Sequence, residues 1–442
     1  MREMKDSDVE WIGKIPQGWT VSKLKYSSQF FNGDRGKNYP SGNDLVDDGV
    51  IFLTSNNLHE DVLDTSYENS KYITEERYNI LGGAKLRIND IVFCLRGSVG
   101  NCSINKTETQ GTVASSLMTI RPQQSNADFV NYMLHSEVTY SQTRLFVNGS
   151  CAENLSADNV ANYYFVEPPL AEQKQIATYL HSKCANIDTI ISDIQLQIEL
   201  LQEYKQSVIT EAVTKGLDKN VAMKNSGIDY IGNIPLHWHI SKQKYVNDFY
   251  NGDRGKNYPS GNDLVDDGVI FLTSNNLHSD ILDTSSSISK YITEARYHIL
   301  GGAKLQKNDI VFCLRGSVGI CSINKTESQG TIASSLMTIR PRKIHADFLN
   351  YLLHSEVTYA QTRLSVNGSC ADNLSADNVA NYYFPKPPLD EQEQIVNYLD
   401  KQCDNIDATI ADKQKQLDTL TEYKKSLIYE YVTGKKEVPA DA

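Results

Sequence analysis

Three polar segments in this 442-residue chain carry the residue types that address base edges and phosphate oxygens: cations, amides and hydroxyls displayed from loops. Asn32-Gly33-Asp34-Arg35-Gly36-Lys37-Asn38-Tyr39 offers two cations, two amides and an aromatic ring on a glycine-loosened backbone. Ser55, Asn56 and Asn57 follow an apolar run, as do Arg96 and Ser98, and Lys106 lies in the next hairpin. Each segment has a second copy, giving Arg254, Lys256, Asn257 and Tyr258, then Ser274, Asn275 and Asn276, then Arg315, Ser317 and Lys325. The structural alternatives are a solvated turn for the first segment, a turn cap for the second and surface cations for the third. Gln110–Thr112 and Ser115–Ser116, with copies at 329–331 and 334–335, suit either polar contacts or packing within a sheet.

Residues for catalysis are missing. Methylation of an adenine needs a glycine-rich cofactor loop and an Asn/Asp-Pro-Pro-aromatic motif that holds the flipped base. Glu167-Pro-Pro-Leu170 and Lys386-Pro-Pro-Leu389 have the wrong residue before the prolines and no aromatic after them. Arg96-Gly-Ser-Val-Gly100 is too short for a phosphate loop, and there is no Walker A motif. His59 and His278, like His135 and His354, recur without a second ligand at metal spacing, so packed or surface roles are expected and no metal is assigned. The eight cysteines form four equivalent pairs, Cys94/Cys313, Cys102/Cys321, Cys151/Cys370 and Cys184/Cys403. With no export signal in MREMKDSDVEWIGKIPQGW and no apolar run of membrane length, they read as reduced thiols of a cytoplasmic protein.

The elements that position these residues come in duplicate. NGDRGKNYPSGNDLVDDGVIFLTSNNLH begins at Asn32 and again, unchanged, at Asn251, 219 positions on. The offset holds without insertion or deletion from Met4/Met223 to Thr214/Thr433. Such a period is a domain-scale duplication, not a solenoid. Each copy opens with about 165 residues of short β-rich runs, such as Gly49–Thr54 and Asp90–Leu95, separated by Gly, Asn and Pro turn signals. One helix is expected over Asp128 to Leu145 and its copy over Asp347 to Leu364.

Each copy then changes character. After Pro168-Pro169 and Pro387-Pro388 the chain carries no Gly or Pro until Gly216 and Gly434, the punctuation of a helix start and stop. Apolar or semi-apolar residues fall at 176, 180, 184, 187, 191, 194, 198, 201, 204 and 208, a coiled-coil stripe. The residues expected to pair the helices or dock subunits are Leu170, Ile176, Leu180, Ile187, Ile191, Ile198 and Leu201 in the first. In the second they are Leu389, Ile395, Leu399, Ile406, Ile410, Leu417 and Leu420. Lys413 stands where the first helix has Ile194, a substitution that can fix register.

The expected fold is therefore α+β: two mainly-β globular domains related by a pseudo-two-fold axis and joined by two long helices in an antiparallel coiled coil. Domain boundaries fall at 1–166, 167–216, 217–385 and 386–435, with a flexible tail over 436–442. The net charge of −12 argues against a free-standing nucleic-acid binder, because phosphate binding needs a basic surface. Either cations gather on one face, or a partner shares the contacts. The competing reading is a coiled-coil scaffold whose paired domains bind protein or carbohydrate.

The motifs resemble those of the specificity subunits of type I restriction-modification systems. WIGKIPQGW/YIGNIPLHW followed by SKLKY/SKQKY resembles the start of their target recognition domains, as does NDIVFCLRGSVG. PPLAEQKQI (168–176) and PPLDEQEQI (387–395) resemble the opening of their spacer helices. The resemblance implies two recognition domains, each reading half of a bipartite double-stranded DNA target, and helices that set the spacing and dock two modification (methyltransferase) subunits. Restriction subunits would join for cleavage. S-adenosylmethionine, and ATP with magnesium, would then be bound by partners and not by this chain. Near-identical domains further imply a near-palindromic split target.

Overall fold

A computed structural model describes residues 2–58, 61–147, 154–278, 280–366 and 373–440; His59, Cys151 and Cys370 lie outside them. The chain divides into two compact units, one of Met1–Gln195 with Lys415–Ala442, the other of Leu196–Gln414. The divide cuts both long helices, so each unit combines a sheet-rich domain with part of each helix.

Two four-stranded sheets form the domain of the first unit. One orders Cys102–Ile104, Ile91–Cys94, Leu117–Pro122 and Ser28–Asn32 as antiparallel neighbours. The other holds Leu45–Val46, Lys71–Ile73, Val50–Leu53 and Gly111–Val113, the last two parallel. Ile91, Val92, Phe93 and Cys94 are all buried, because their strand is central and packed on both faces. Met4–Asp6 pairs with Lys14–Pro16 inside the opening segment, and Thr20–Lys23 pairs with Tyr164–Glu167 and ties that segment to the strand before the helix. The second unit repeats this topology. Tyr163, Phe165 and Val166 are buried before the helix while Tyr164 is exposed.

The segment expected as one helix from Asp128 to Leu145 is two, Ala127–Leu134 and Glu137–Val147. The break at His135-Ser136 has a local cause: the Ser136 hydroxyl donates to Met133 O (2.6 Å), and its own carbonyl starts the next helix by accepting from Thr139 N (3.0 Å). The copy divides in the same way, into Ala346–Leu353 and Glu356–Val366.

The long helices run over Leu170–Lys215 and Leu389–Val432, about 65–70 Å each at 1.5 Å per residue. In the first unit Ile176, Leu180, Cys184 and Ile187 share one core with Phe129, Phe165, Leu427, Ile428 and Tyr431. Tyr179 lies against Tyr431, and Asp188 against Lys424, so the segments there run antiparallel. The second unit matches this, with Ile209, Ala212, Ile395, Leu399 and Cys403 in its core and Lys205 against Asp407. Ile406 and Leu417 are buried, and Ile191, Ile198, Leu201, Ile410 and Leu420 are half-buried. A two-helix seam away from the domains covers an apolar side chain from one side only.

Leu170 and Leu389 do not join the seam: each is the first residue of its helix and is exposed. Tyr204 also misses it, and its place is taken by the neighbouring Lys205, held by Asp407. Lys413 donates to Gln197 Oε1 (2.5 Å) within its unit.

The Pro-Pro-Leu-x-Glu-Gln motif explains how helix and domain are joined. Glu172 accepts from the indole N–H of the buried Trp19 (2.9 Å) and pairs with Arg2. Buried Gln173 accepts from Asn126 N (2.8 Å) and donates to Pro168 O (2.9 Å). Glu391 and Gln392 repeat these contacts with Trp238, His345 and Pro387. Gly216 and Gly434 end the helices with φ of +73° and +72°, and a Cβ at either would meet the ring of Trp238 or Trp19. Among the described residues no helix is long and apolar enough to cross a membrane, and the six described cysteines are free and buried.

Candidate nucleic-acid interface

In each domain one polar crevice gathers residues from three separate loops. In the first unit it has a volume of about 460 Å³ and is lined by Asn32, Arg35, Arg96 and the segment 154–159. Its counterpart, about 510 Å³, is lined by Asn251, Arg254, Arg315 and 373–378. Every lining position carries the same residue in both copies.

The backbone beneath this crevice is fixed by close approaches. Asn32 ends a strand, and a Cβ on the next residue, Gly33, would lie 2.2 Å from Ala114 O, so only glycine fits. Asp34 then accepts from the backbone N–H groups of Gly82 (3.2 Å) and Gly83 (2.6 Å). The loop is thereby stapled to the facing turn and the Asp34 carboxylate is occupied by the fold, while the Asp158 carboxylate lines the crevice with the arginines. Arg35 follows in extended conformation, with its side chain exposed.

Arg96 is held from the other side. Its carbonyl accepts from Cys94 Sγ (3.1 Å), its backbone bridges to Asn154, and Gly97 and Gly100 turn the chain at φ of +83° and +93°. The thiol of Cys94 is pushed upward by burial, so it stays protonated as the donor. Ser156 caps the short helix behind the crevice by accepting from Asn159 N (3.1 Å).

Among the described residues neither crevice arginine has an ion-pair partner, whereas three other arginines of the domain are spent on the fold: Arg77 on Asp44 (2.9 Å), Arg121 on Asp90 (2.7 Å) and Arg144 on Glu137. The Asp44 carboxyl is held low by its hydrogen bond from Arg77. Among the described residues Arg35, Lys37 and Arg96 enter no ion pair, and neither do Arg254, Lys256 and Arg315. Two exposed guanidinium groups, beside amide and hydroxyl side chains and the Asp158 carboxylate, can take phosphate oxygens or a guanine edge.

The other sequence candidates are placed apart from this pair. Lys37 is exposed and Asn38 half-buried in the following turn. Tyr39 packs edge-on against Phe52, with ring centres 5.7 Å apart, as Tyr258 does on Phe271. Ser98 is exposed beside Arg96, and Ser317 beside Arg315.

Asn57 and Asn276 are not available to a ligand. Asn57 is fully buried: its Oδ1 accepts from Thr54 N (2.9 Å), and its Nδ2 donates to Asp64 O (2.9 Å) and Ser70 Oγ (3.2 Å). Asn276 repeats this pattern. They are turn caps, leaving Ser55, Asn56, Ser274 and Asn275 nearer the surface. Lys106 and Lys325 are also committed, to Asp128 (2.6 Å) and Asp347 (2.5 Å). Thr112 is buried, with its hydroxyl on Ala84 O (2.6 Å).

Asn32, one of the two amides of the candidate loop, lines the crevice, whereas sequence reasoning missed the whole segment 154–159. The available signal was NLSADN, identical at 154–159 and 373–378.

Comparison with known proteins gives a consistent answer. The type I restriction modification DNA specificity domain is matched twice, over residues 16–200 and 237–422. The type I restriction enzyme MjaVIII specificity subunit of Methanocaldococcus jannaschii is 24% identical over 96% of this chain and 94% of its own length. The EcoKI specificity subunit of Escherichia coli K12 is 20% identical over 93% and 88%. A chain solved in work on complex assembly and conformational transition of the type I R-M system shares the fold, with a TM-score of 0.71 and 16% identity, covering 96% of this chain and 99% of that one.

Proposed function

The chain belongs to the type I restriction-modification DNA specificity family, and from that premise we propose that residues 1–166 and 217–385 are recognition domains that each read one half of a split DNA target through the arginine crevice. The observation that carries this is the pair of unpaired, exposed guanidinium groups, Arg35 with Arg96, repeated residue for residue as Arg254 with Arg315. Loops fix the backbone at each arginine, so the side chains meet the duplex with little loop ordering left to do. Guanidinium forks suit guanine O6 and N7 or phosphate oxygens; Asn32 and Asn159 beside them add amides for a second base or the backbone.

The chain itself performs no chemistry in this reading. Two modification subunits dock on the helices at 167–216 and 386–435, bind S-adenosylmethionine and methylate the DNA. Restriction subunits, where present, bring ATP and magnesium. The acidic balance of the chain fits this division, since partners then share the phosphate contacts.

Identical crevice linings imply identical half-sites, and so a target that is an inverted repeat around an unspecified gap. Genome-wide methylation mapping with the gene present and deleted tests both levels. Loss of one split, symmetric motif on deletion is expected. A strongly asymmetric motif overturns the equality of the half-sites, and an unchanged methylome overturns recognition itself.

A further inference from the structure

A second polar cluster lies at the junction of domain and helices, and it too is duplicated. In the first unit Lys424 Nζ sits 2.7 and 2.8 Å from the Asp188 carboxylate of the facing helix and 3.8 Å from Asp61 of the domain. Asp61 continues to His135 Nε2 (3.7 Å), whose other ring nitrogen is 2.8 Å from Asn131 O and whose ring neighbours Cys102 Sγ (3.7 Å). In the second unit Lys205 lies 2.8 Å from Asp407 and 3.3 Å from Asp280, and Asp280 lies 3.5 Å from His354.

All the participants are the same in both copies, while residues around them have diverged. His181 corresponds to Asp400, Ala185 to Asp404, Ser192 to Ala411 and Asn101 to Ile320. Both lysines are about four-fifths covered. Burial alone would lower the pKa of Lys424, but Asp61 and Asp188 outweigh it and hold the ammonium charged.

A lysine at this place is a poor choice for adhesion. Desolvating the ion pair offsets much of its attraction, and apolar side chains of similar volume commonly hold such seams as well or better. What a buried polar group does supply is a single register, because sliding or rotating either helix strands the charge. Here the charge has two acceptors, one on the facing helix and one on the domain. A slip of one helical turn, about 5.4 Å, would remove Lys424 from both.

We infer that Lys424 with Asp188 and Asp61, and Lys205 with Asp407 and Asp280, are positioning residues that lock the helix register to the recognition domain and so determine the gap length the protein accepts between half-sites. The inference rests on the recognition reading above. It makes gap selectivity a property of six named side chains as well as of helix length.

The test uses the chain in complex with its modification subunits. Binding and methylation are measured on duplexes whose gap is shortened or lengthened by one or two base pairs, alongside thermal unfolding. The Lys424→Met/Lys205→Met variant should keep its half-site letters and its unfolding midpoint, while its preference for the native gap falls by about tenfold or more. Lys424→Arg/Lys205→Arg should restore the preference. A folded Met variant with wild-type gap preference overturns the inference. Should that variant fail to fold, isosteric Asp61→Asn/Asp280→Asn decides on the same readout, because it frees the domain from the lysine without changing shape. A wild-type complex that recognises no split target overturns the recognition reading instead, and the latch falls with it.

Discussion

Two polar clusters recur unchanged in both units of this protein, and their charges are handled in opposite ways. At the crevice, Arg35 and Arg96 are exposed without an ion-pair partner among the described residues, and the nearby Asp34 is turned to backbone N–H groups. At the helix junction, Lys424 is covered and shared between Asp188 and Asp61. In the proposed reading the first cluster is completed from outside, while the second is already complete. Among the described residues the crevice arginines thus stay out of ion pairs even in an acidic chain, with Asp158 and Asp377 the carboxylates that line the crevices beside them.

The strongest way to break this contrast is to remove the crevice. Arg35→Ala/Arg96→Ala together with Arg254→Ala/Arg315→Ala should abolish specific binding, at about 1–3 kcal/mol for each arginine lost. The unfolding midpoint should stay in place, since among the described residues no side-chain hydrogen bond or ion pair uses these arginines. Fluorescence anisotropy on target and scrambled duplexes, with modification subunits present, reads both specific and background affinity. Replacing the arginines of one unit alone should relax the letters of one half-site and spare the other. Equal loss at both half-sites would show that the crevices do not act separately.

Asn57 supplies the opposite outcome in a residue of similar sequence promise. Asn57→Ala/Asn276→Ala removes a buried amide that satisfies Thr54 N and Asp64 O. Leaving such groups unpaired costs about 1–3 kcal/mol of stability for each domain. Urea unfolding should register that loss, while affinity measured on the folded fraction stays near wild type. A selective binding defect at unchanged stability would move Asn57 back into the interface.

These two cases show what was legible before the structure. The duplication, the long helices and their capping glycines were plain, because they rest on exact repetition and on periodicity over more than forty residues. Arg96 was legible as a cation closing an apolar run, but its pairing with Arg35 was not, since a sheet of non-local strands brings them together. Asn56 and Asn57 look alike in sequence, and only the turn decides which amide points inward. Lys205 and Lys424 were passed over because a lysine next to Tyr204 or Tyr423 reads as surface. Helix phase, settled by packing, puts the lysine on the seam and the tyrosine outside.

The junction cluster makes a pH prediction. Burial alone would lower the pKa of His135, but Cys102, Asp61 and Asn131 O outweigh it and raise it from 6.5 to about 10; His354 behaves alike. A histidine whose folded pKa lies above its unfolded value adds stability that is complete below pH 6.5 and is lost as pH climbs toward 10. The thermal midpoint should therefore decline across that window, by about 2–4 °C for each kcal/mol surrendered in a unit of this size. His135→Asn/His354→Asn should flatten the decline, whereas the arginine variants should retain it. A wild-type midpoint that rises between pH 6.5 and 10 would contradict the arrangement.

The smallest expected effect concerns Lys37 and Lys256, and it separates positioning from reading within the interface. Both are exposed on the turn after the arginine and make no ion pair among the described residues, yet neither lines the crevice. A cation beside the site but outside it suits a phosphate, which carries no sequence information. Lys37→Ala/Lys256→Ala should weaken target and scrambled duplexes by the same factor. If each lysine releases one counterion, the slope of log affinity against log salt should become shallower by about 1.8 in total. A change in preferred letters at a constant slope would instead make Lys37 a reader and widen the interface beyond the crevice.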